Sequence, residues 1–270
     1  MAKEVDIVAL GELLIDFTEA GKSDSGKKLF EQNPGGAPAN LLTLASRMGY
    51  RTEFIGKVGT DMHGNFLKKT LEEEGIEILE KEQIDTRGFI LDERYFTTLA
   101  FVEIAESGER QFSFSRKQSA DTQLCADELN QKLLEDCKVF HFGSLSLTDE
   151  PARTEAVKIA KSSGALISYD PNYRASLWEK KETAVEQMKS MIPYVDVMKV
   201  SDEELVLLTG NKDYSQAVKI LLDIGPKLVD VTLGSEGVLL ATKQRQEKLP
   251  GFKVKAIDTT GAGDSFWGGF

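Results

Sequence analysis

The sequence predicts an α/β fold in which a mostly parallel central sheet is covered by helices on both faces and carries a small β-sheet lid. Three observations point to it. Short apolar runs rich in β-branched residues recur along the 270 residues. Most of these runs are separated by stretches whose apolar residues follow the helical period, and such alternation is typical of βαβ units and a parallel sheet. One internal region lacks the helical period and alternates like an antiparallel sheet instead.

The strands and helices can be placed along the chain from these patterns. The predicted strands cover 5–10, 53–58, 138–142, 165–169, 195–200, 228–233 and 238–241. The predicted helices cover 39–48, 65–74, 126–134, 151–162, 183–191 and 215–224. Gly49, Gly75, Gly164 and Gly225 each follow a helical stretch, where a helix C-terminus favours glycine.

The exceptional region covers residues 88–116. Its first half alternates over 98–104, a turn follows at 106–109, and 111–115 supplies a second strand, which together predict a β-hairpin. The segment 16–30, rich in Gly, Ser and Lys, is predicted to join it. A sheet this small must bury one face, so it is either a lid over a site or a dimerisation surface. The resulting division assigns 1–15, 33–86 and 117–270 to the core and 16–32 and 87–116 to the lid.

Composition and charge exclude several classes of function. The chain has 33 Lys and Arg against 44 Asp and Glu, a net charge of −11, which repels nucleic-acid backbones and requires a local positive site for any small anion. Hydrophobic residues at 41% and charged residues at 29% are ordinary for a soluble folded protein. We predict no targeting or membrane segment. Cys125 and Cys137 lack metal-ligand spacing, so we expect reduced thiols in the cytoplasm.

The strongest chemical signal is the run DTTGAGDSF at 258–266. Two glycines separated by one residue lead into the N-terminus of a helix, where backbone N–H groups and the helix dipole bind phosphate oxygens or developing negative charge. Asp264 in the first turn can accept a proton from a substrate hydroxyl. A helix-terminal acid after a tight turn explains the same letters, and a short glycine motif alone does not decide between them.

Four further segments place polar residues beside turns. Residues 33–40 contain a glycine pair before a helix, and the Asn40 amide there suits a polyhydroxylated ligand. Asp16 ends an apolar strand, at the edge where open α/β sheets bind ligands. Residues 170–174 offer an acid, an amide and a guanidinium that can hold a phosphate. The pattern of residues 231–238 predicts a strand, a turn and a second strand. Plain turns and a solvent-facing strand end explain these letters equally, and the residues alone leave the choice open.

Together these segments resemble the PfkB, or ribokinase-like, family of carbohydrate kinases, and within it most closely the fructokinases. The resemblance covers nearly the whole chain in nine segments that stand in family order. They are GELLIDF at 11–17, PGGAPAN at 34–40, GKVGTDMHG at 56–64, GER followed by SAD at 119–121, FGSLSL at 142–147, ISYDPNYRASLW at 167–178, KVSDEEL at 199–205, VTLGSEG at 231–237 and DTTGAGDSF at 258–266. The resemblance implies a three-layer α/β/α sandwich with a small β lid. It also implies ATP-dependent phosphorylation of a ketohexose hydroxyl, with D-fructose converted to fructose 6-phosphate.

The resemblance further implies a role for each matching residue. Asp264 would be the catalytic base, and the anion hole would comprise Gly261, Ala262 and Gly263. The sugar site would comprise Asp16, Gly35, Gly36, Asn40, Phe101, Arg116 and Arg174, with Phe101 and Arg116 closing over the sugar from the lid. The nucleotide site would comprise Asn172, Arg174, Thr232, Gly234, Ser235, Gly237, Gly261 and Gly263. Mg²⁺ would be held by Glu204 through water, and Asp258 and Thr260 are the candidate ligands of K⁺, which family members often use.

The sequence departs from the family pattern at three places. Ser201 stands where many relatives carry the Asn of Asn-x-x-Glu, so the water network around the metal can differ. The run 116–118 reads Arg-Lys-Gln instead of the Arg-Asn-Pro common in fructokinases, which leaves 2-keto-3-deoxygluconate kinase, or another sugar or nucleoside kinase, as an alternative. Relatives continue beyond the position of Phe270, so we expect C-terminal helices to be missing here.

Two expectations concern other classes of protein and partners. The end at Phe270 makes a non-catalytic sugar-binding fragment the alternative from another class. A dinucleotide-dependent oxidoreductase is disfavoured, because no G-x-G-x-x-G follows the first strand. A homodimer through the β lid is expected from the resemblance and from the need to cover edge strands.

Overall fold

The molecule is built from two sheets and eight helices within the residues that the structure describes. The computed structural model describes residues 3–73, 88–104, 110–255, 259 and 261–270. The strands are β1 (Val5–Leu10), β2 (Leu14–Lys22), β3 (Lys28–Gly35), β4 (Thr52–Gly59), β5 (Phe89–Asp92), β6 (Leu99–Ile104), β7 (Arg110–Ser115), β8 (Cys137–Gly143), β9 (Leu166–Asp170), β10 (Val197–Ser201), β11 (Leu228–Thr232), β12 (Val238–Ala241) and β13 (Gln246–Leu249). The helices are α1 (Ala37–Arg47), α2 (Met62–Glu73), α3 (Gln131–Asp136), α4 (Ala152–Ser162), α5 (Lys181–Met191), α6 (Asp202–Thr209), α7 (Tyr214–Ile224) and α8 (Ala262–Gly269).

The larger sheet has nine strands in the order β13-β12-β11-β10-β9-β8-β1-β4-β5. Every neighbouring pair from β11 to β5 is parallel, whereas β12 and β13 continue the sheet in antiparallel fashion. The predicted α/β/α fold with a mostly parallel sheet is therefore confirmed. The carboxyl ends of the parallel strands meet at one edge, which is where open α/β sheets bind ligands.

Two hydrophobic cores lie on the two faces of this sheet, and successive residues of β1 alternate between them. Val8 and Leu10 belong to the core that includes side chains of α3 to α7. Ala9 belongs to the core that includes side chains of α1, α2 and α8. Because both faces are covered, the central strands carry the near-continuous apolar runs on which the sequence prediction depends.

The smaller sheet has four strands in the order β3-β2-β6-β7. The hairpin β6–β7 is antiparallel and β2 joins β6 in parallel, as the alternation of 98–104 and the strand-like start at Asp16 predict. The strands β2 and β3 extend from Leu14 to Gly35, somewhat further than the predicted 16–32. Val102 and Ala100 are buried on one face, which is therefore the face toward the rest of the protein.

The sequence prediction and the structure differ in a few elements. The predicted helix at 126–134 is a 3₁₀ turn at Ala126–Glu128 followed by α3, because the side chain of Asn130 accepts a hydrogen bond from the Lys132 amide (3.0 Å) and caps a later helix start. Strands β5 and β13 escape prediction, the latter because its polar residues face solvent. The helix end predicted at Gly75 lies outside the described residues. None of the described helices is long and apolar enough to cross a membrane.

Candidate active site

Helix α8 begins at the carboxyl edge of the larger sheet and carries Asp264 in its first turn. Gly261 precedes the helix in the left-handed conformation (φ 69°), and no side chain caps this terminus, so its positive dipole end is available to an anion. Two contacts fix the helix. The Trp267 Nε1 donates to Ser168 Oγ of β9 (2.9 Å), and Gly268 packs so closely on α1 that a Cβ there would lie 2.5 Å from the Leu41 carbonyl oxygen.

Two asparagine amides hold the Asp264 carboxylate. Asn40 Nδ2 in the first turn of α1 donates to Oδ2 (2.9 Å), and Asn172 Nδ2 after β9 donates to Oδ1 (3.1 Å). Burial raises the pKa of Asp264, and the hydrogen bond from Asn40 offsets part of that effect. Asp264, the predicted base, thus contacts Asn40 of the predicted sugar site and Asn172 of the predicted nucleotide site.

The turn that carries Asn172 is held by two carboxylates. Asn172 has a φ of 45°, a left-handed conformation that asparagine tolerates better than most residues. Its amide donates to Asp170 Oδ1 (3.2 Å), and the next amide, of Tyr173, donates to Glu204 Oε1 (2.7 Å). These bonds stabilise the turn and direct the Asn172 carboxamide at Asp264.

Glu204 lies in the first turn of α6, where it forms a capping box with Ser201. Its Oε2 accepts from the Ser201 amide (2.8 Å), while Ser201 Oγ accepts from the Glu204 amide (3.1 Å). Burial and the nearby Asp170 raise the pKa of Glu204. Serine therefore performs the capping here at the position where many relatives carry asparagine, and both Glu204 oxygens already accept backbone N–H groups.

Asp264 opens onto a cavity of about 480 Å³, within the range of small-molecule sites. Its walls come from the segment between β1 and β2, the lid sheet, the start of α1, the turn after β8, the 172–174 turn, β10 and the start of α8. The lining residues are Glu12, Leu14, Asp16, Gly36, Ala37, Asn40, Phe112, Phe114, Leu145, Asn172, Arg174, Lys199, Thr259, Gly261, Gly263 and Asp264. Of the predicted sugar residues, Asp16, Gly36, Asn40 and Arg174 therefore line the cavity together.

The glycine pair before α1 packs tightly against the sugar side of this cavity. A Cβ at Gly35 would lie 2.2 Å from Asp16 Oδ2, and one at Gly36 (φ 126°) would lie 2.4 Å from the Glu12 carbonyl oxygen. Only glycine permits this approach and this backbone conformation. Burial raises the pKa of Asp16, and Arg174 offsets part of that effect.

Glu12 is a buried acid of the cavity wall that the sequence analysis did not single out. It is 4% exposed, and its Oε1 accepts from the Ala37 amide at the start of α1 (3.1 Å). Burial raises its pKa to about 7. Glu12 thus stabilises the helix start that presents Asn40, and the apolar letters around it in GELLIDF gave no signal of that contact.

The structure does not place the predicted lid residues Phe101 and Arg116 in this cavity. Side chains alternate along β6, and since Ala100 and Val102 face inward, Phe101 falls on the outer face, stacked on Phe17 at 5.2 Å between ring centroids. Arg116 is 6% exposed and donates to Asp121 Oδ2 (2.8 Å), to Thr148 Oγ1 (2.6 Å) and to the Leu145 carbonyl oxygen (2.9 Å). Protein groups in the hinge of the lid thus already bind its guanidinium.

Phe112 and Phe114 of β7 line the cavity in place of Phe101. They pair in register with the inward-facing Val102 and Ala100 of β6, and their rings stack at 6.2 Å. The alternation of 111–115 contained this information, but the sequence does not say which face of the hairpin points inward.

The end of β11 and the turn that leads to β12 contain the predicted nucleotide residues Thr232, Gly234, Ser235 and Gly237. They lie at the carboxyl edge of the sheet, two strands from Asp170. Gly234 (φ 56°) and Gly237 (φ 100°) are left-handed, and a Cβ at Gly237 would meet the Leu249 carbonyl oxygen at 2.0 Å. This tight turn does not line the 480 Å³ cavity. Asp258 and Thr260, the candidate K⁺ ligands, lie outside the described residues.

Comparison with known proteins agrees with this architecture. The profile of the pfkB family carbohydrate kinases matches residues 5–270. The chain is 43% identical over 276 residues to the probable fructokinase-5 of Arabidopsis thaliana, covering 100% of this chain and 83% of that one.

Solved structures of bacterial fructokinases are also similar. The fructokinase of Xylella fastidiosa with bound ATP has a TM-score of 0.87 at 31% identity, covering 98% of this chain and 79% of its own. The fructokinase of Vibrio cholerae O395 with fructose, ADP and calcium ion bound has a TM-score of 0.85 at 32% identity, covering 98% and 82%. A double mutant of the latter has fructose, ADP and potassium ion bound, with a TM-score of 0.85 at 31% identity, covering 100% and 83%. On the family profile and these identities, the chain belongs to the pfkB family of carbohydrate kinases.

Proposed function

We propose that this protein is an ATP-dependent fructokinase, which transfers the γ-phosphoryl group of ATP to the 6-hydroxyl of D-fructose. The observation that carries the proposal is the Asp264 carboxylate, which two asparagine amides orient at an uncapped helix N-terminus inside a cavity of sugar size. The comparisons also support the proposal. A relative at 43% identity is named a probable fructokinase, and one similar structure, of a fructokinase, holds fructose and ADP.

In the proposed reaction Asp264 takes the proton of the sugar hydroxyl while a bond forms between that oxygen and the γ-phosphorus. The bond from the γ-phosphorus to the bridging oxygen breaks, and ADP leaves. Charge that develops on the transferred group would be stabilised by the Gly261 and Gly263 amides at the N-terminus of α8, by about 3 kcal/mol. The amide of Ala262, the third predicted member of the anion hole, donates to the Thr259 carbonyl oxygen (3.2 Å). A carboxylate base in this position contributes about 10²- to 10⁴-fold.

The sugar would lie between Gly36 and Asn40 at the start of α1 and, on the lid sheet, Asp16 of β2 and the rings of Phe112 and Phe114 of β7. Carboxylate and amide groups bind hydroxyls, and the phenyl rings cover the apolar face of the sugar and exclude water from the phosphoryl group. Arg174, which lines the cavity and is exposed, would contact phosphate oxygens.

ATP would lie along the carboxyl edge, from α8 toward the turn of Thr232, Gly234, Ser235 and Gly237. We further propose that Mg²⁺ accompanies the ATP, since this ion binds proteins through few carboxylates, several waters and the phosphates themselves. Glu204 fits the role through water, because each of its oxygens retains a lone pair beside its one backbone hydrogen bond. Asp258 and Thr260 remain the proposed K⁺ ligands.

We also propose a cytoplasmic homodimer that forms through the outer face of the lid. On this face Phe101 stacks on Phe17, which itself packs against the core of α1, α2 and α8, and Phe30 lies edge-on to Phe101 at 6.0 Å. Met62 and Phe96 nearby are 73% and 79% exposed. Apolar patches of this kind are typical of interfaces. Light scattering would test it: a mass of one chain at micromolar concentration contradicts the dimer.

Free Cys125 and Cys137 accord with a reducing compartment, and fractionation of source cells tests that location.

A coupled ADP-release assay tests the activity, with fructose, 2-keto-3-deoxygluconate, ribose and adenosine offered at matched concentration. We expect fructose to give the highest kcat/KM. A higher value for 2-keto-3-deoxygluconate would move the assignment within the family. Absence of turnover with all four, while fructose still raises the melting temperature, would make the protein a sugar-binding fold without kinase activity.

A further inference from the structure

The walls of the active-site cavity are acidic, although its proposed ligand carries several negative charges. Glu12, Asp16 and Asp264 line the cavity, and the protein as a whole has a charge of −11. A phosphate donor needs a local positive group to enter such a site. Among the described lining residues the cations are Arg174, which is exposed, and Lys199, which is only 6% exposed.

The sheet register places Lys199 in the middle of a buried row of charges. Lys199 pairs with Asp230 on one neighbouring strand, and its Nζ bonds to Asp170 Oδ2 on the other (2.6 Å). A buried lysine normally needs a paired carboxylate, and Asp170 provides one. Burial by itself lowers the pKa of Lys199, but the attraction of Asp170 outweighs it and the pKa is raised, so the side chain carries a proton and its charge.

The ammonium group also touches the anion loop. A Cβ on Gly263 would lie 3.0 Å from Lys199 Nζ, so the ammonium lies beside the first turn of α8. A positive charge beside the positive end of a helix is unfavourable unless an anion lies between or next to them. Lysine has three N–H donors, and the structure describes one bond from them, to Asp170.

We infer that Lys199 is a further catalytic residue, whose ammonium binds the γ-phosphoryl group of the nucleotide together with the Gly261 and Gly263 amides. The inference rests on the proposed function. A second carboxylate strengthens it: Asp230 is fully buried, and neither of its oxygens has a partner among the described residues. When ionised, Asp230 adds a second negative charge beside Lys199, which favours the position of the ammonium when no phosphate is bound.

The test must separate contact with phosphate from neutralisation of Asp170. We compare Asp170→Asn with the double variant Asp170→Asn/Lys199→Met, because the buried carboxylate is absent from both and they differ only in the ammonium. The asparagine retains an oxygen for the Asn172 amide. We expect kcat of the double variant to be about 100-fold lower than that of the single variant, as for loss of one donor to a developing anion, with fructose KM unchanged within about twofold. Equal kcat values would overturn the proposal.

Two further measurements keep the inference separate from the proposed function. Lys227→Met removes an exposed lysine that pairs with Asp196 (2.7 Å) at the opposite edge of the sheet, and it should leave kcat at the wild-type value. If the wild type phosphorylates none of the four test substrates, the proposed function fails. The inference about Lys199 is then tested by titration calorimetry with the ATP analogue AMP-PNP. We expect the double variant to bind AMP-PNP about tenfold more weakly than Asp170→Asn does. Equal affinities would overturn the inference.

Discussion

The Asp264→Asn variant tests the central assignment of the site, because the substitution preserves shape and removes the base. Asn40 and Asn172 donate to different oxygens of Asp264, so an asparagine in the same orientation would present its NH2 group to one of the two donors. Loss of one such bond costs about 1–3 kcal/mol. The variant also removes a buried carboxylate whose pKa burial raises, and this gain offsets part of the loss. We therefore expect a folded protein with a melting temperature close to that of the wild type.

The effect on rate should be much larger than the effect on stability. A general base contributes about 10²- to 10⁴-fold, so we expect kcat in the coupled ADP-release assay to fall by about 1000-fold. Fructose affinity, measured by calorimetry, should change little because Asp16 and Gly36 remain. Ser265→Ala, one residue along the same helical turn, is the control and should retain wild-type kcat. A variant that keeps more than about a tenth of wild-type turnover, or that loses fructose binding with its activity, would refute the assignment.

The pH dependence provides a second measurement on the same carboxylate. Asp264 acts as a base only when deprotonated, so kcat/KM should fall as the pH is lowered through its folded-state pKa. Since that pKa is raised, the decline should begin at higher pH than an ordinary aspartate would give. The sign for stability is opposite: the contribution of Asp264 is fully present below its unfolded-state pKa and is lost as the pH rises through the folded-state value.

Three other residues predict measurable changes. Burial raises the pKa of Asp230 to about 7, so the wild type loses stability as the pH rises through that value. The free energy of unfolding of Asp230→Asn should therefore exceed that of the wild type by about 2–4 kcal/mol at pH 8 and by almost nothing at pH 4, and an equal difference at both pH values would contradict this. Phe114→Ala should raise the fructose KM about tenfold with a smaller change in kcat, and an unchanged KM would remove the ring from the sugar site. Asp121 holds both ends of the lid hairpin through Thr98 Oγ1 (2.6 Å) and Arg116 Nε (2.8 Å), so Asp121→Asn should increase fructose-independent ATP hydrolysis severalfold; unchanged hydrolysis would show that the hinge does not control water.

Periodicity was sufficient for the central sheet because that sheet is covered on both faces. The seven predicted strands carry the β-branched runs that burial on two faces requires, and the glycines at the helix ends separate them. Edge strands such as β13 lack that signal, since their polar residues face water. Local capping also escaped the prediction, as at Asn130, where a hydrogen bond of the side chain moves the helix start.

The candidate site was predictable where one segment alone determines its function. The DTTGAGDSF run contains both the loop and the acid, and the 33–40 segment contains both the glycines and Asn40. Lys199 could not be found this way. Its neighbours Asp170 and Asp230 lie on other strands, so its role follows from the register of three strands, which no single segment encodes. The position of Phe101 outside the cavity lining escaped the prediction for a related reason: alternation separates the two faces of a strand without telling which one is inward.

The position of the Asp264 carboxylate therefore depends on contacts between distant parts of the chain. Asn40 and Asp264 are 224 residues apart and Asn172 lies 92 residues from Asp264, yet each amide binds a different oxygen of one carboxylate. Because α1 and the turn after β9 each supply one of these bonds, the carboxylate has a single orientation only when both elements are in place. The orientation of this carboxylate is therefore set by completion of the tertiary fold, because neither α1 nor the turn after β9 fixes it alone.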